Sequence, residues 1–218
     1  MNNPKILTIG IGSTARSGKS SLAQCLLSLL KDDGYYCGEY PLAHALKKQC
    51  EDFLWHSFKY NVWTENTEEK SKFRDFLVIY GKMAREMSEG KFWTSIVEDQ
   101  IIKDAEKLNK SYKLPYVAIV PDIRYNDPKY KNDEVHWVQK RMNGILIDLN
   151  RIDEGGVLIP PANKDEEINS SSIKEVSDYH LTWNTIRGEM NFTDLYNGEI
   201  FNQVKPLYEQ IKREYLLN

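Results

Sequence analysis

The stretch Gly12-Ser-Thr-Ala-Arg-Ser-Gly-Lys-Ser20 constrains this chain more than any other. It follows a short apolar run, Lys5 to Ile11, and opens onto Leu22, Ala23, Leu26, Leu27 and Leu30, which recur at helical spacing. Strand, glycine-containing loop and helix in that order form the context of a P-loop. In such a loop the backbone N–H groups and the helix N-terminus face a polyphosphate. Ser13, Thr14, Ala15, Arg16, Ser17 and Gly18 would form the cradle, with Ser21 just beyond it. Lys19 would reach the outer phosphates, and the Ser20 hydroxyl could ligate Mg²⁺. The match to G-x-x-x-x-G-K-[ST] is imperfect, because Ser13 stands at the first glycine and Gly12 lies one place early. A plain β-turn-α connection with a solvated lysine is the competing reading.

A length of 218 residues suits one α/β domain spanning 1–218, with room for an inserted lid. Lys+Arg of 29 against Asp+Glu of 32 leaves a net charge of −3, so no global basic field points to nucleic acid or a membrane surface. Cys25, Cys37 and Cys50 lack metal-ligand or C-x-x-C spacing, and pairing would leave one over; they read as reduced thiols of a cytoplasmic protein. No apolar run approaches the roughly 20 residues of a spanning helix. His44, His56, His136 and His180 are scattered, which gives no zinc site.

Tyr35 to Tyr40 reads as a second strand and Pro41 as the start of a helix carrying Leu42, Leu46, Cys50, Phe53 and Leu54. Lys47 falls near the carboxyl end of that strand, where open α/β sheets collect ligands. From Glu65 to about Ser88 the helical pattern is clearest, with Phe73, Phe76, Leu77, Tyr80, Ala84 and Met87 on one face. Arg74, Gly81 and Arg85 share another face, since seven and eleven residues are nearly whole numbers of turns. A mid-helix glycine costs roughly 1 kcal/mol relative to alanine. Gly81 between two arginines therefore suggests either an anionic ligand approaching the backbone or an ordinary solvated face. Phe92-Trp93 could wall a base or belong to the core.

Leu114 to Val120 is a continuous β-branched run, as in a strand buried within a parallel sheet. It ends in Pro121-Asp122-Ile-Arg124. An aspartate after such a strand is placed to hold Mg²⁺ beside a P-loop, and Arg124 would point at the same phosphates. Glu134 to Met142 reads as a helix leading into a strand at Ile145–Leu149, followed by Arg151. Residues 152 to 171, with Gly155-Gly156 and Pro160-Pro161, have the composition of a mobile surface segment or lid. Leu181–Asn184 is a last strand candidate. Phe201, Val204, Tyr208, Ile211 and Tyr215 form a packing helix, started or kinked at Pro206.

In order and spacing these motifs resemble the deoxynucleoside monophosphate kinases of bacteriophage type. The shared series runs from the Arg-Ser-Gly-Lys loop through Leu42-Ala43 to Leu46-Lys47, Arg74 to Gly81, Phe92-Trp93, Pro121 to Arg124, Arg151 and Asn184. Ser13, Ser20 where some relatives carry aspartate, and an insertion at Asn126–Asp133 depart from it. The resemblance implies a three-layer α/β/α fold around a mostly parallel sheet, with a helical acceptor-binding region at about 41–110 and a lid at about 151–171. It implies Mg²⁺-dependent transfer of the ATP γ-phosphoryl group to a deoxynucleoside monophosphate in the (host) cytoplasm, without nucleic-acid or membrane partners, and it leaves room for a homodimer. Lys19, Arg124 and Arg151 would act on the transferred group. Ser20 and Asp122 would place the metal, and Arg74, Gly81, Arg85, Lys47, Trp93 and Asp122 would surround the acceptor. Rival readings are a kinase resembling dephospho-coenzyme A kinase, a switch GTPase, and a P-loop fold used only for binding or nucleic-acid handling, against which the acidic net charge and the lack of a basic stripe count. For the GTPase, Asp153–Gly156 and Asn163–Glu166 lie too close together to be the two required motifs.

Overall fold

The computed structural model describes residues 4–108, 114–161, 163–184 and 198–217. Five parallel strands stand in the order β2-β3-β1-β4-β5: β1 Ile6–Gly12, β2 Cys37–Glu39, β3 Tyr116–Ile123, β4 Ile145–Ile152 and β5 Tyr179–Asn184. The helices are α1 Lys19–Asp32, α2 Leu42–Phe58, α3 Thr67–Met87, α4 Lys91–Leu108, α5 Glu134–His136 running into a π-helical turn Trp137–Arg141, α6 Lys164–Val176 and α7 Glu199–Ile211. This is the expected α/β architecture with a fully parallel sheet. Residues 109 and 110, the end of the expected acceptor-binding region, lie outside the described residues.

The sheet is buried on both sides because its strands alternate between two cores. Leu7, Ile9 and Ile11 of β1 join Leu22, Leu26 and Leu30 of α1 and Val204, Tyr208 and Ile211 of α7 on one face. Ala118, Val120 and Leu146 meet Ile101, Trp137, Val138 and Ile173 on the other. β1 turns Thr8, Gly10 and Gly12 toward that second core, where space is short. A Cβ on Gly12 would sit 2.5 Å from Ile173 Cγ2, so the early glycine belongs to helix packing and not to the loop motif. A third small core, Cys50, Leu54, Val62 and Phe73, joins α2 to α3.

Pro121 falls inside β3, where it has no N–H to give the ladder. The register with β1 passes from Gly10↔Val120 to Gly12↔Ile123, which places one extra β3 residue against Ile11. Such a bulge re-aims the neighbouring side chain, here Asp122.

Several expectations from the sequence are corrected. The segment 151–171 is not one loop. Asp153 Oδ1 accepts the N–H groups of Gly155 and Val157 in a tight turn, Ile152 and Leu158 form an antiparallel bridge, and Asn163 caps α6 through the Glu166 N–H. The helix expected over Glu134–Met142 is three α-residues followed by a π turn. Pro206 neither starts nor ends α7, which begins at Glu199. On α3, the face shared by Phe73, Phe76, Leu77, Tyr80, Ala84 and Met87 is buried only in part: Phe73 and Ala84 are in the core, and Phe76 and Met87 are exposed.

Candidate functional site

The connection from β1 leads to β2 on one side of it, whereas the connection from β3 crosses over β1 to β4 on the other side. The crevice at the carboxyl ends of strands at such a switch point is where open α/β sheets bind ligands. Residues 13–18 fill that position. Ser13 Oγ donates to the carbonyl of Leu149 in β4, and Ser13 is buried. Arg16 takes φ 61°, the left-handed region, while its side chain is exposed. Gly18 takes φ 95° at the start of α1. Glycine is required there twice over, since a Cβ would also lie 2.5 Å from Trp183 Cζ2. Trp183 Nε1 donates to the Ser17 carbonyl at 2.9 Å, so the last strand holds the loop from below.

Lys19 folds back over this loop, donating to Thr14 O at 2.6 Å and Ser13 O at 3.2 Å. Burial, then the positive charge of Arg124, lowers its pKa from 10.5 to about 8, while the Glu166 and Asp122 carboxylates pull the other way. Lys19, Arg124, Asp122 and Glu166 thus share one electrostatic neighbourhood. Ser20 is exposed on the first turn of α1 beside half-buried Ser21. Ser17 Oγ is buried and has no hydrogen-bond partner among the described residues.

Asp122 accepts the N–H groups of Leu42 and Ala43, each at 2.8 Å. Its carboxylate therefore satisfies two of the donors left open at the N-terminus of α2. Burial raises its pKa, and those two N–H groups with Arg124 and His44 oppose the rise. Arg124 is exposed, and its backbone N–H donates to buried Glu134 at 2.6 Å. Burial pushes Glu134 up to about 8, with the Arg124 N–H working against it and Asp133 and Asp122 reinforcing it. Half-buried Glu39, at the end of β2, is raised mainly by burial and takes a 2.6 Å hydrogen bond from Gln24.

The residues expected around an acceptor fare differently. Arg85 is buried, with Nε and Nη2 reaching the Asp133 carboxylate at 3.0 and 2.8 Å. Its guanidinium is sandwiched between Tyr125 and Tyr130, 4.0 and 4.7 Å from the ring centroids. The expected free anion clamp is an internal ion pair. Gly81 is small because Leu46 of α2 packs on it, 3.2 Å from where a Cβ would stand. Trp93 is a core residue whose Nε1 donates to the Gly81 carbonyl at 3.0 Å. Arg74 is exposed on α3. Lys47 lies over the Trp63 ring, 5.4 Å from its centroid. Arg151, near the end of β4, is half-buried and its Nε is enclosed with no hydrogen-bond partner among the described residues.

Four residues of consequence were missed in the sequence. Glu166, on the first turn of α6, accepts the Ala15 N–H of the loop. Trp183 and the Asp133–Glu134 pair are the others. The only sequence signal for them was Asp133-Glu134 heading a helix after an insertion, which marks an N-terminus but not what its carboxylates bind.

No family model and no curated protein matches the chain. Solved structures similar to it include an APS kinase of Mycobacterium tuberculosis, 12% identical over 96% of this chain and 99% of that one with a TM-score of 0.41. Another is the protein TT1252 of Thermus thermophilus, 13% identical over 95% of this chain and 98% of that one with a TM-score of 0.44.

Proposed function

We propose that this chain is a Mg²⁺-dependent phosphotransferase that moves the γ-phosphoryl group of ATP onto a deoxynucleoside monophosphate. One observation carries the reading. A glycine-containing loop at the switch point of a parallel sheet has its lysine within electrostatic reach of an acid and an arginine, Asp122 and Arg124, at the end of the adjacent strand. Phosphoryl transfer asks for positioning and charge neutralisation more than covalent chemistry. The loop N–H groups and Lys19 would bind the β- and γ-phosphates, and Arg124, exposed and beside Lys19, would neutralise charge on the transferred group. No general base is needed, because the acceptor is already an anionic phosphate.

Among the described residues no cluster of three His, Cys, Asp or Glu side chains could cage a metal. Mg²⁺ suits such a site, since it takes one or two hard oxygen ligands from the protein and the rest from phosphates and water. The Ser20 hydroxyl and Asp122 carboxylate are oxygen donors of that kind, and the ion would supply charge neutralisation at the phosphate oxygens.

On the acceptor side, Arg74 and Lys47 would contact the monophosphate and Arg151 would act from the 153–161 side. Arg85 would serve by fixing α3 against the segment after β3. The test is ADP formation by the purified chain with ATP and Mg²⁺ against a panel of deoxynucleoside monophosphates. Stimulation by at least one of them over the ATP-only rate is expected. Stimulation by dephospho-coenzyme A alone would move the acceptor to the rival class, and no stimulation by any acceptor would refute the transferase reading.

A further inference from the structure

α3 carries a second pattern that the proposed reaction does not use. Taking about 100° per residue, Phe76, Met83 and Met87 lie within about 80° of Ile79 on one side of the helix. Phe53 of α2 stacks on Phe76 at 5.4 Å and meets Phe58 edge-on at 5.7 Å, which widens the stripe. Its members are unusually bare: Phe53 49%, Phe58 55%, Phe76 37%, Ile79 67%, Met83 48% and Met87 82% exposed. At about 200 Å² for a fully exposed large side chain, those fractions amount to roughly 650 Å² of apolar surface. That is at or above the largest patch of a typical monomer, roughly 300–600 Å².

The charges beside the stripe say what covers it. Lys72 stands seven residues before Ile79 and Glu86 seven after; Asp75 stands four before and Lys82 three after. The sign of the charge reverses through Ile79. If a second α3 is laid antiparallel across the first with a two-fold axis at Ile79, Lys72 faces Glu86 of the other copy and Asp75 faces Lys82. A two-fold interface demands this kind of self-complementarity. Within one chain Lys72 and Glu86 make only loose, exposed contacts, each 3.9 Å, to Glu68 and Lys82 respectively, which cost little to exchange. Two such faces would cover roughly 1,300 Å² in total, within the standard range for a stable complex. We infer that the chain forms an isologous dimer through α3, with Ile79 on the axis and Phe53, Phe58, Phe76, Met83 and Met87 buried between copies. This inference stands whether or not the acceptor is a deoxynucleotide.

The experiment is sedimentation of the full chain across a micromolar concentration series. The wild type is expected at twice the monomer mass, and Ile79→Glu/Met83→Glu at the monomer mass with an unchanged circular dichroism spectrum. Lys72→Glu and Glu86→Lys singly are expected to weaken the dimer several-fold, and the two together to restore it. Should the double glutamate variant misfold, Ile79→Cys gives an independent reading. Mild oxidation should cross-link it to a covalent dimer, while Val78→Cys, well off the axis, stays monomeric on a denaturing gel. A monomeric wild type, a dimer that survives Ile79→Glu/Met83→Glu, or equal cross-linking at 78 and 79 would overturn the inference.

Discussion

Arg85→Ala separates two accounts of α3. If the guanidinium were a free clamp for a phosphate, its loss would raise the acceptor KM and leave stability alone. In the structure it is buried between two tyrosine rings and makes two short bonds to Asp133. Asp133 is itself buried and among the described residues has one other close donor, the Asp127 N–H at 2.7 Å. Truncating Arg85 strands that carboxylate, and breaking a buried ion pair from one side costs about 3–5 kcal/mol. The stacking on Tyr125 and Tyr130, about 0.5–2 kcal/mol for such contacts, is lost with the same group and is not simply additive. Against a total stability of roughly 5–15 kcal/mol this is a large fraction. With a urea dependence of about 1–3 kcal/mol per molar, the midpoint should fall by about 1–5 M. Arg85→Lys keeps the charge but cannot make both bonds, so an intermediate loss is expected. Urea unfolding followed by tryptophan fluorescence measures all of this. A wild-type midpoint for Arg85→Ala together with a raised acceptor KM would refute the internal ion-pair account. Arg74→Ala, exposed, is the control and should keep its midpoint within about 0.5 kcal/mol.

Lys19 makes the site pH-sensitive. Its folded pKa, about 8, lies below the unfolded 10.5, so the unfolded chain binds more protons between those values. Its contribution to stability therefore rises with pH across that window, whereas ATP affinity, which needs the charged lysine, should weaken as pH rises through about 8. Calorimetric titration of wild type against Lys19→Arg, whose charge persists, is expected to show a flatter profile in the variant; parallel profiles would contradict the assignment. Gly18→Ala must place a Cβ into the Trp183 ring at a left-handed φ. A loss of about 2–4 kcal/mol from strain and overpacking, with loss of ATP binding, is expected by thermal melts and titration, and an unaltered melt would contradict it. Glu166→Gln removes a negative charge from the loop amide that a phosphate would use. ATP should bind several-fold more tightly, and weaker binding would make Glu166 a support of the loop instead.

The phosphate loop and the sheet were legible because their signals are local. Glycine spacing, an apolar run and a helical period near the N-terminus are enough to place residues 13–20 at a strand end. The same holds for β3 and its terminal Asp122. What the sequence withheld is long-range. The partners of Ala15, Ser17 and Arg85 are Glu166, Trp183 and Asp133, separated from them by 151, 166 and 48 residues. Helical period correctly put Arg74, Gly81 and Arg85 on one face, but it carries no information on what lands there. Leu46 and the segment after β3 do, which turns an apparent ligand face into packing. The same limit explains Phe76 and Met87: period fixes a face's direction, not its width.

The two hydrogen bonds from Leu42 and Ala43 to Asp122 make that carboxylate a mechanical joint. The α2–α3 pair is pinned to the sheet at the start of α2, at the carboxyl end of β3. A shift of the first turn of α2 would therefore be felt at Asp122 through these two hydrogen bonds. Under the proposed function, the carboxylate that holds the root of α2 would also lie in the electrostatic neighbourhood of Lys19, so the placement of that helix and the charge at the loop would be set by one side chain.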